Sequence, residues 1–270
     1  MSPTPSITDH SRRFADNRFV YPVLSRRSQG LSIGVNLNPD KVCNFDCIYC
    51  QVDRTTQSDT RFVEWETLLS ELNEFLARAQ DGSIWNLPVI SDVPPHLRHV
   101  NDIAFSGDGE PTTYENFDEI IAACAERKRH YGLTAVKMVL ITNASRFHRP
   151  HVIRGLELLD QNQGEIWAKL DAGTADYFKR IDRTSIPFQH ILDNLSAAAK
   201  LRPLVMQSLF MKVADEPPSE SELQAYCERL LEILDAGGRI QLVQVYTIAR
   251  RPAESYVTPL SDSQVDAIVD

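Results

Sequence analysis

Short apolar runs alternate with segments of helical periodicity along this chain of 270 residues, and this alternation limits its possible folds more than any other feature. Regular alternation of strand and helix favours parallel βαβ units with right-handed crossovers. The predicted strands are Leu31–Leu37, Asp102–Phe105, Lys137–Thr142, Glu165–Leu170, Leu204–Val213 and Ile240–Thr247. The predicted helices are Val63–Ala79, Asn116–Tyr131, Pro150–Leu159, Gln189–Leu201 and Glu220–Leu234. Six strands fall short of the eight of a closed barrel, so we expect an α/β fold with an open partial (β/α)6 barrel.

Length and composition favour one large domain. The chain is 43% hydrophobic and 24% charged, which is enough apolar material for one full core. We expect this domain to span residues 21–260, after a flexible N-terminal segment at residues 1–20 that is rich in Ser, Thr, Pro and charge. Residues 80–99 are predicted to form an inserted loop over the barrel mouth, and residues 261–270 to begin a C-terminal helix.

Three cysteines in one short loop carry the strongest chemical signal. Cys43, Cys47 and Cys50 have the spacing CxxxCxxC. Thiolates are soft ligands that select zinc, copper(I) or iron–sulfur clusters, and three of them leave one iron of a [4Fe–4S] cluster open to a small molecule. Structural zinc usually takes four ligands in two spaced pairs, and the chain has no second pair of cysteines. A zinc site therefore remains the weaker alternative, as do core thiols that bind nothing.

The cysteine loop, with Tyr49 directly before its last cysteine, resembles the signature loop of radical S-adenosylmethionine (SAM) enzymes. A second segment, Gly107-Asp108-Gly109-Glu110 followed by Pro111, resembles the GGEP segment of the same family, with Asp108 in place of the first glycine. The resemblance implies a [4Fe–4S] cluster on Cys43, Cys47 and Cys50, with SAM on the open iron. It also implies that Tyr49 lies near the adenine and that the backbone of residues 107–110 meets the SAM amino group.

The resemblance extends to one branch of this family, the Fe–S oxidoreductases related to the wyosine-forming tRNA enzymes. It rests on the runs Pro22–Arg27 and Gly34–Pro39 before the cysteines, and on Thr142-Asn143, Lys169–Gly173, Gln244–Thr247 and Arg251-Pro252 after them. The tRNA-modifying members carry a second cluster on cysteines ahead of the signature loop, whereas no cysteine precedes Cys43 here. A small-molecule, protein or tRNA substrate therefore remains open.

The resemblance implies a reaction and a set of further contacts. An electron from a donor such as flavodoxin or ferredoxin would cleave SAM to a 5′-deoxyadenosyl radical, which would abstract hydrogen from the substrate. Asn143 and Asp171 are candidate contacts for the ribose or methionine part of SAM. A non-catalytic Fe–S or zinc module would explain the cysteines but would leave the Gly-rich segment without a role.

Period-two alternation places polar side chains of two strands on one face. Trp167, Lys169 and Asp171 share a face, as do Gln244 and Tyr246. We expect Lys169, Asp171, Gln244 and Tyr246 to line one polar cavity. A buried lysine is costly without a partner, so Lys169 is expected to pair with Asp171 or with a carboxylate or phosphate of the substrate. Lys169 and Asp171 are therefore candidate catalytic residues.

Charge and cysteine use indicate the surroundings of the protein. The five cysteines do not form a disulfide framework, which favours a reducing, cytoplasmic location. The sequence shows neither a signal peptide nor a membrane-spanning run. The net charge of −9 opposes general affinity for nucleic acid, although Arg26-Arg27, residues 126–130 and Arg250-Arg251 are candidate basic patches.

Overall fold

The computed structural model describes residue 14 and residues 16–25 and 29–269. The predicted flexible segment, apart from its last residues, and the pair Arg26-Arg27 lie outside the described residues. The chain divides into two compact units. The first contains the described residues of Met1–Val42, Gln57–Leu140 and Pro150–Glu165, and the second contains Cys43–Thr56, Ile141–Arg149 and the described residues of Ile166–Asp270.

Strands and helices alternate along the described residues much as the sequence pattern predicts. The strands are β1 (Val20–Ser25), β2 (Gly30–Val35), β3 (Val100–Phe105), β4 (Lys137–Thr142), β5 (Gly164–Lys169), β6 (Leu204–Leu209), β7 (Met211–Val213), β8 (Ile240–Tyr246) and β9 (Val257–Pro259). The α-helices are α1 (Trp65–Asp81), α2 (Phe117–His130), α3 (Pro150–Asp160), α4 (Ala175–Asp182), α5 (Phe188–Leu201), α6 (Glu220–Asp235) and α7 (Asp262–Val269). Short 3-10 helices cover Ser83–Asn86, Pro95–Leu97 and Pro111–Thr113.

The main sheet has seven strands in the order β1-β2-β3-β4-β5-β6-β8. The pairs β2–β3, β3–β4, β5–β6 and β6–β8 are parallel, and β1 pairs antiparallel with β2. From β2 onward the strand order follows the chain order, which is the arrangement of a (β/α) barrel rather than of a doubly wound sheet. The order has two ends, at β1 and β8, so among the described residues the sheet is open. The predicted α/β fold is confirmed.

Several elements differ from the sequence-based prediction, among them strand β9, which was not predicted. Strand β1 was not predicted, since Pro22 removes a backbone donor from its apolar run and is tolerated only because β1 is an edge strand. The predicted strand Leu204–Val213 breaks at Phe210 into β6 and β7, and β7 pairs with β9 in a separate two-stranded sheet. Helix α4 was also missed, because its eight residues are too few for a clear periodic pattern.

In the first unit, a buried carboxylate fixes the start of β1. Glu71 of α1 accepts hydrogen bonds from the backbone N–H groups of Arg18, Phe19 and Val20, each at 2.9 Å. Glu71 is 8% exposed, so these bonds form largely out of water. They satisfy the carboxylate and the backbone N–H groups of the two residues before β1 and of its first residue.

The region predicted as an inserted loop is partly helical. Helix α1 continues to Asp81 and ends at Gly82, whose φ of +77° suits glycine. Two 3-10 helices then follow, and Ile84 and Ile90 between α1 and β3 are fully buried. The segment therefore contributes buried apolar side chains. The predicted C-terminal helix is α7.

In the second unit, helices α4 and α6 start with side-chain caps. The hydroxyl of Thr174 accepts a hydrogen bond from the backbone of Tyr177, and that of Ser219 from the backbone of Glu222. Glu222 in turn accepts hydrogen bonds at 2.6 Å from the Gly173 N–H and the Thr174 hydroxyl. These bonds join the segment between β5 and α4 to the first turn of α6. Among the described residues, no helix is long and apolar enough to cross a bilayer.

Candidate functional site

The three cysteines of the predicted cluster loop are half-buried and carry free thiols. The loop follows β2, and a backbone hydrogen bond of 3.0 Å from the Cys50 N–H to the Cys47 carbonyl makes a tight turn between two of them. Three soft donors therefore lie in one eight-residue segment. This donor set fits an iron–sulfur cluster with one open iron, by the chemistry of its ligands.

The side chains are not arranged as a formed metal centre. Within residues 14, 16–25 and 29–269, no group of three or more His, Cys, Asp or Glu side chains is positioned to hold a metal ion. The Cys47 thiol instead donates a hydrogen bond to Oδ1 of Asp182 at 3.2 Å. Burial, followed by the nearby Asp182 carboxylate, raises the pKa of Cys47 well above that of a free thiol.

The end of helix α4 holds the backbone of the cysteine loop. The Asp46 N–H donates to the Asp182 carbonyl at 3.1 Å, and the Ile48 N–H donates to the Ile181 carbonyl at 2.8 Å. The hydroxyl of Thr184 donates to the carbonyl of Asn44 at 3.0 Å. The end of α4 and Thr184 therefore hold the backbone of the loop in a defined conformation.

Tyr49 connects the cysteine loop to two buried carboxylates. Its hydroxyl lies 2.5 Å from Oδ2 of Asp171 and 2.9 Å from Oδ1 of Asp182. Burial and the charge of Asp171 raise the pKa of both Tyr49 and Asp182. The predicted adenine contact is thus 6% exposed, and its hydroxyl is held in this network.

Lys169 lies beside the same network. Its Nζ is 3.0 Å from Oδ2 of Asp171 and 3.1 Å from the Tyr246 hydroxyl, and it lies over the rings of Tyr49 and Tyr246 at 5.1 and 5.5 Å from their centroids. Burial alone would lower the pKa of Lys169, but Asp171 and Tyr246 outweigh it and raise the pKa. The structure therefore brings together three of the four residues that were expected to line one polar cavity: Lys169, Asp171 and Tyr246.

Asp171 accepts hydrogen bonds from several parts of the second unit. Besides Tyr49 and Lys169, the backbone N–H of Leu209 donates to its Oδ1 at 2.7 Å. Asp171 is 4% exposed. Its oxygens are therefore occupied by protein donors, which suits a residue that positions Tyr49 and Lys169.

Asn143 joins the end of β4 to the cysteine loop. Its amide donates to Oδ1 of Asn44 at 2.9 Å, and its own Oδ1 accepts the Ser145 hydroxyl at 2.6 Å. The amide of Asn44 also donates to the Ser145 hydroxyl at 2.7 Å. Asn143 is thus placed next to Cys43 through Asn44.

The Gly-rich segment lies in the first unit, directly after β3. A Cβ atom on Gly109 would stand 2.2 Å from the Val42 carbonyl oxygen, and one on Gly107 would stand 2.1 Å from Oδ1 of Asn36. Asn36 also donates to Oδ2 of Asp108 at 2.7 Å and accepts from the Asp108 N–H at 3.2 Å. The two glycines are therefore required by close packing, and Asn36 holds the residue that replaces the first glycine of the GGEP pattern.

Glu110 has a local structural role. Its side chain accepts hydrogen bonds from the N–H of Thr112 at 3.1 Å and from the Thr112 hydroxyl at 2.5 Å. It thereby caps the 3-10 helix Pro111–Thr113 and is 3% exposed.

Sequence reasoning missed Asp182, Asn44, Asn36 and Gln207. Asp182 lies in no recognisable motif. It contacts Cys47 only because helix α4 ends beside the cysteine loop. The signal that could have found α4 is Thr174 with Asp176 two residues later, which is a helix start with an acidic first turn. Asn36 and Asn44 flank recognised motifs and could have been considered as their supports.

Comparison with curated proteins finds relatives of moderate similarity, and no protein-family model matches the chain. A UPF0026 protein of Helicobacter pylori strain J99 is 29% identical over 210 residues, covering 76% of this chain and 59% of the relative. UPF0026 protein MJ1312 of Methanocaldococcus jannaschii is 30% identical over 134 residues, covering 48% of this chain and 34% of the relative. A protein named GTPase Obg from Brachyspira hyodysenteriae is 26% identical over 253 residues, covering 91% of this chain and 32% of the relative. The chain therefore spans from about a third to about six tenths of the length of these proteins.

Comparison with solved structures finds the same fold in TYW1. The structure of TYW1 with a lysine–pyruvate adduct bound superposes with a TM-score of 0.54 and 14% identity, covering 88% of this chain and 71% of that one. At this identity the likeness establishes the fold. It agrees with the sheet order and with the sequence-based prediction of fold class.

Proposed function

We propose that this chain is a radical SAM enzyme that binds a [4Fe–4S] cluster through Cys43, Cys47 and Cys50. One observation carries the proposal: a loop with three free thiols follows the first parallel strand of a sheet with the TYW1 fold. Loops that follow parallel strands line the active sites of barrel enzymes. When bound, the cluster and SAM supply a one-electron cleavage that yields methionine and a 5′-deoxyadenosyl radical able to abstract hydrogen.

The residues of this chain contribute orientation and shielding. The turn at Gly107 and Gly109 exposes backbone groups that side chains would otherwise cover, which suits contact with the SAM amino group. Tyr49 offers its ring for stacking on an adenine while Asp171 and Asp182 fix its hydroxyl. Asn143 is held next to the cysteine loop, where its position suits a ribose or methionine contact.

Lys169 is better suited to fixing this arrangement than to attacking a substrate. The TYW1 structure contains a lysine–pyruvate adduct. A lysine side chain that attacks a carbonyl compound must present an uncharged amine. Lys169 is instead held as a cation by Asp171 at 3.0 Å. We therefore assign it to electrostatic support of Asp171 and Tyr246.

The cluster is tested by anaerobic reconstitution with iron and sulfide. We expect about four iron and four sulfide per chain, with broad absorbance near ~400 nm. Cys43→Ala, Cys47→Ala and Cys50→Ala should each remove this absorbance. The matched controls Cys124→Ala and Cys227→Ala should retain it, and loss of iron in either control would show that the ligands are misassigned.

SAM binding is tested separately on the reduced cluster. Adding SAM should change the EPR spectrum, because its amino and carboxylate groups would complete the coordination of the open iron. Under dithionite we then expect 5′-deoxyadenosine to form, with flavodoxin or ferredoxin as the class of donor that would replace dithionite in the cell. An unchanged spectrum with the wild-type protein would contradict the radical SAM assignment.

A tRNA substrate is the second candidate, because the fold is that of TYW1 and the branch resemblance points to wyosine-forming enzymes. The net charge of −9 favours a small molecule or a protein side chain instead. Comparing modified nucleosides and metabolites between a deletion strain and its parent would distinguish them. A missing tRNA nucleoside would support the second candidate.

A further inference from the structure

Three polar residues form one row across neighbouring strands of the second unit. In the parallel ladders, Lys169 of β5 pairs with Gln207 of β6, and Gln207 pairs with Gln244 of β8. Residues that stand opposite each other in a ladder point to the same face of the sheet. Gln207 and Gln244 therefore lie on the same face of the sheet as Lys169. Only Gln244 was predicted from the sequence to lie on this face.

The two glutamines form an incomplete amide pair. Nε2 of Gln207 donates to Oε1 of Gln244 at 2.9 Å. A primary amide has two donor hydrogens and an acceptor oxygen, and this bond uses a donor hydrogen of Gln207 and the acceptor oxygen of Gln244, so Oε1 of Gln207 and Nε2 of Gln244 are not used within the pair. Gln207 is 1% exposed and Gln244 is half-buried, so water competes little for these groups. The pair presents one acceptor and one donor together.

The charge at this row decides the class of ligand. Lys169 is the cation of the row, and the carboxylate of Asp171 lies 3.0 Å from its Nζ with a side chain that is 2% exposed. The two charges cancel, so the row offers no net charge to a free carboxylate or phosphate, whose removal from water would be costly. This argues against the expectation that Lys169 pairs with an anionic group of the substrate.

We propose that Gln207 and Gln244 form a subsite for an uncharged planar group that carries an N–H and a C=O, such as a carboxamide or the lactam edge of a nucleobase. Gln244 would donate to the carbonyl oxygen and Gln207 would accept from the N–H. The inference rests on the proposed function, because it assigns the uncharged planar group to the substrate of the proposed enzyme. A site built from directed hydrogen bonds rejects analogues that lack the matching donor.

Binding to the protein without cluster or SAM tests the subsite. Uracil represents the lactam and nicotinamide the carboxamide, while pyruvate and inorganic phosphate represent anionic ligands; ligand-observed NMR titration gives each dissociation constant. We expect uracil, nicotinamide or both to bind at least about tenfold more tightly than either anion, a factor equal to about 1.4 kcal/mol. For a lactam site, 1,3-dimethyluracil, which lacks the N–H, should bind about tenfold more weakly than uracil.

Two substitutions locate the binding. Gln244→Glu removes the free donor, and Gln244→Leu removes the amide without adding charge to the half-buried position; each should weaken binding of the uncharged probe about tenfold. Gln241→Glu, an exposed glutamine of the same strand, is the matched control and should bind like the wild type. Far-UV circular dichroism confirms that each variant is folded.

Three results would overturn the subsite: tighter binding of pyruvate or phosphate, no binding of either uncharged probe, or unchanged binding in both Gln244 variants. None of them depends on iron or SAM. A negative result in these binding experiments would therefore not change the interpretation of the cluster and SAM experiments. A negative result in the cluster and SAM experiments would likewise not change the measured binding of the uncharged probes.

Discussion

Lys128 is a fully buried cation held by three oxygens. Its Nζ donates to the carbonyls of Val136 and Asn162 at 2.7 and 2.8 Å and to Oε1 of Gln163 at 2.7 Å. Burial lowers the pKa of Lys128 to about 8, so the amine remains largely protonated at pH 7. Its three N–H donors then match the three acceptors.

Replacing Lys128 by Met should therefore destabilise the fold at pH 7. The substitution keeps the apolar stem but leaves buried oxygens without donors, which costs about 2–4 kcal/mol in the free energy of unfolding. Urea denaturation measures the change. Lys137→Met is the control, because Lys137 is half exposed and its ion pair with Glu165 should contribute under about 1 kcal/mol.

Gly109 is a second residue whose role follows from the space around it. Gly109→Ala would bring a methyl group against the Val42 carbonyl oxygen and the side chain of Asn38. We expect a loss of about 1–3 kcal/mol in the free energy of unfolding from this overpacking, together with weaker SAM binding.

Gly132→Ala is the control for Gly109→Ala, since nothing lies within 4 Å of the added methyl group. Its positive φ should cost only about 1 kcal/mol, and SAM binding should be unchanged. If Gly109→Ala and Gly132→Ala lost SAM binding equally, the turn at Gly109 would affect SAM binding only through the overall stability of the protein.

At the scale of elements, helix α4 determines the order of the cysteine loop. Thr174→Val removes the cap of this helix and the hydroxyl hydrogen bond to Glu222, at a cost of about 1–2 kcal/mol. The amides of Asp46 and Ile48, which bond to the end of α4, should then exchange with deuterium more rapidly. NMR-detected hydrogen exchange measures this, and unchanged protection at both amides would contradict the coupling.

Strand β1 depends on one distant carboxylate. Glu71→Gln replaces an acceptor of three backbone N–H bonds with an uncharged amide that has one acceptor oxygen. Hydrogen bonds to charged groups contribute about 1.5–3 kcal/mol, so we expect a loss of about 2 kcal/mol in urea denaturation. Glu74→Gln, on the exposed side of α1, should change stability by under about 0.5 kcal/mol.

These elements show what sequence patterns could predict here. The parallel strands and the longer helices were found because each has its own apolar period, and the cysteine loop was found because ligand spacing is local. Strand β1 was missed because Pro22 interrupts its apolar run and its start is held by Glu71, far along the chain. Helix α4 was missed because its eight residues are too few for a clear periodic pattern. The Gln207–Gln244 pair was missed because it exists only through the register of β6 and β8.

At the scale of the whole molecule, charge predicts behaviour toward polyanions. The net charge is −9 and the sequence pI is about 5.3. Since sequence-independent binding to nucleic acid depends on neutralising phosphates, we expect no retention on heparin at about 0.15 M salt. Retention that falls steeply with added salt would instead reveal a local basic surface and would favour the tRNA candidate.

The attachment of the cysteine loop to the end of α4 has a consequence for how the protein would acquire iron. The bonds of Asp46 and Ile48 to the end of α4 fix the loop backbone, so cluster assembly should require no folding of the loop. The rate of cluster assembly should therefore follow the supply of iron and sulfide, and far-UV circular dichroism should stay constant while the visible absorbance grows.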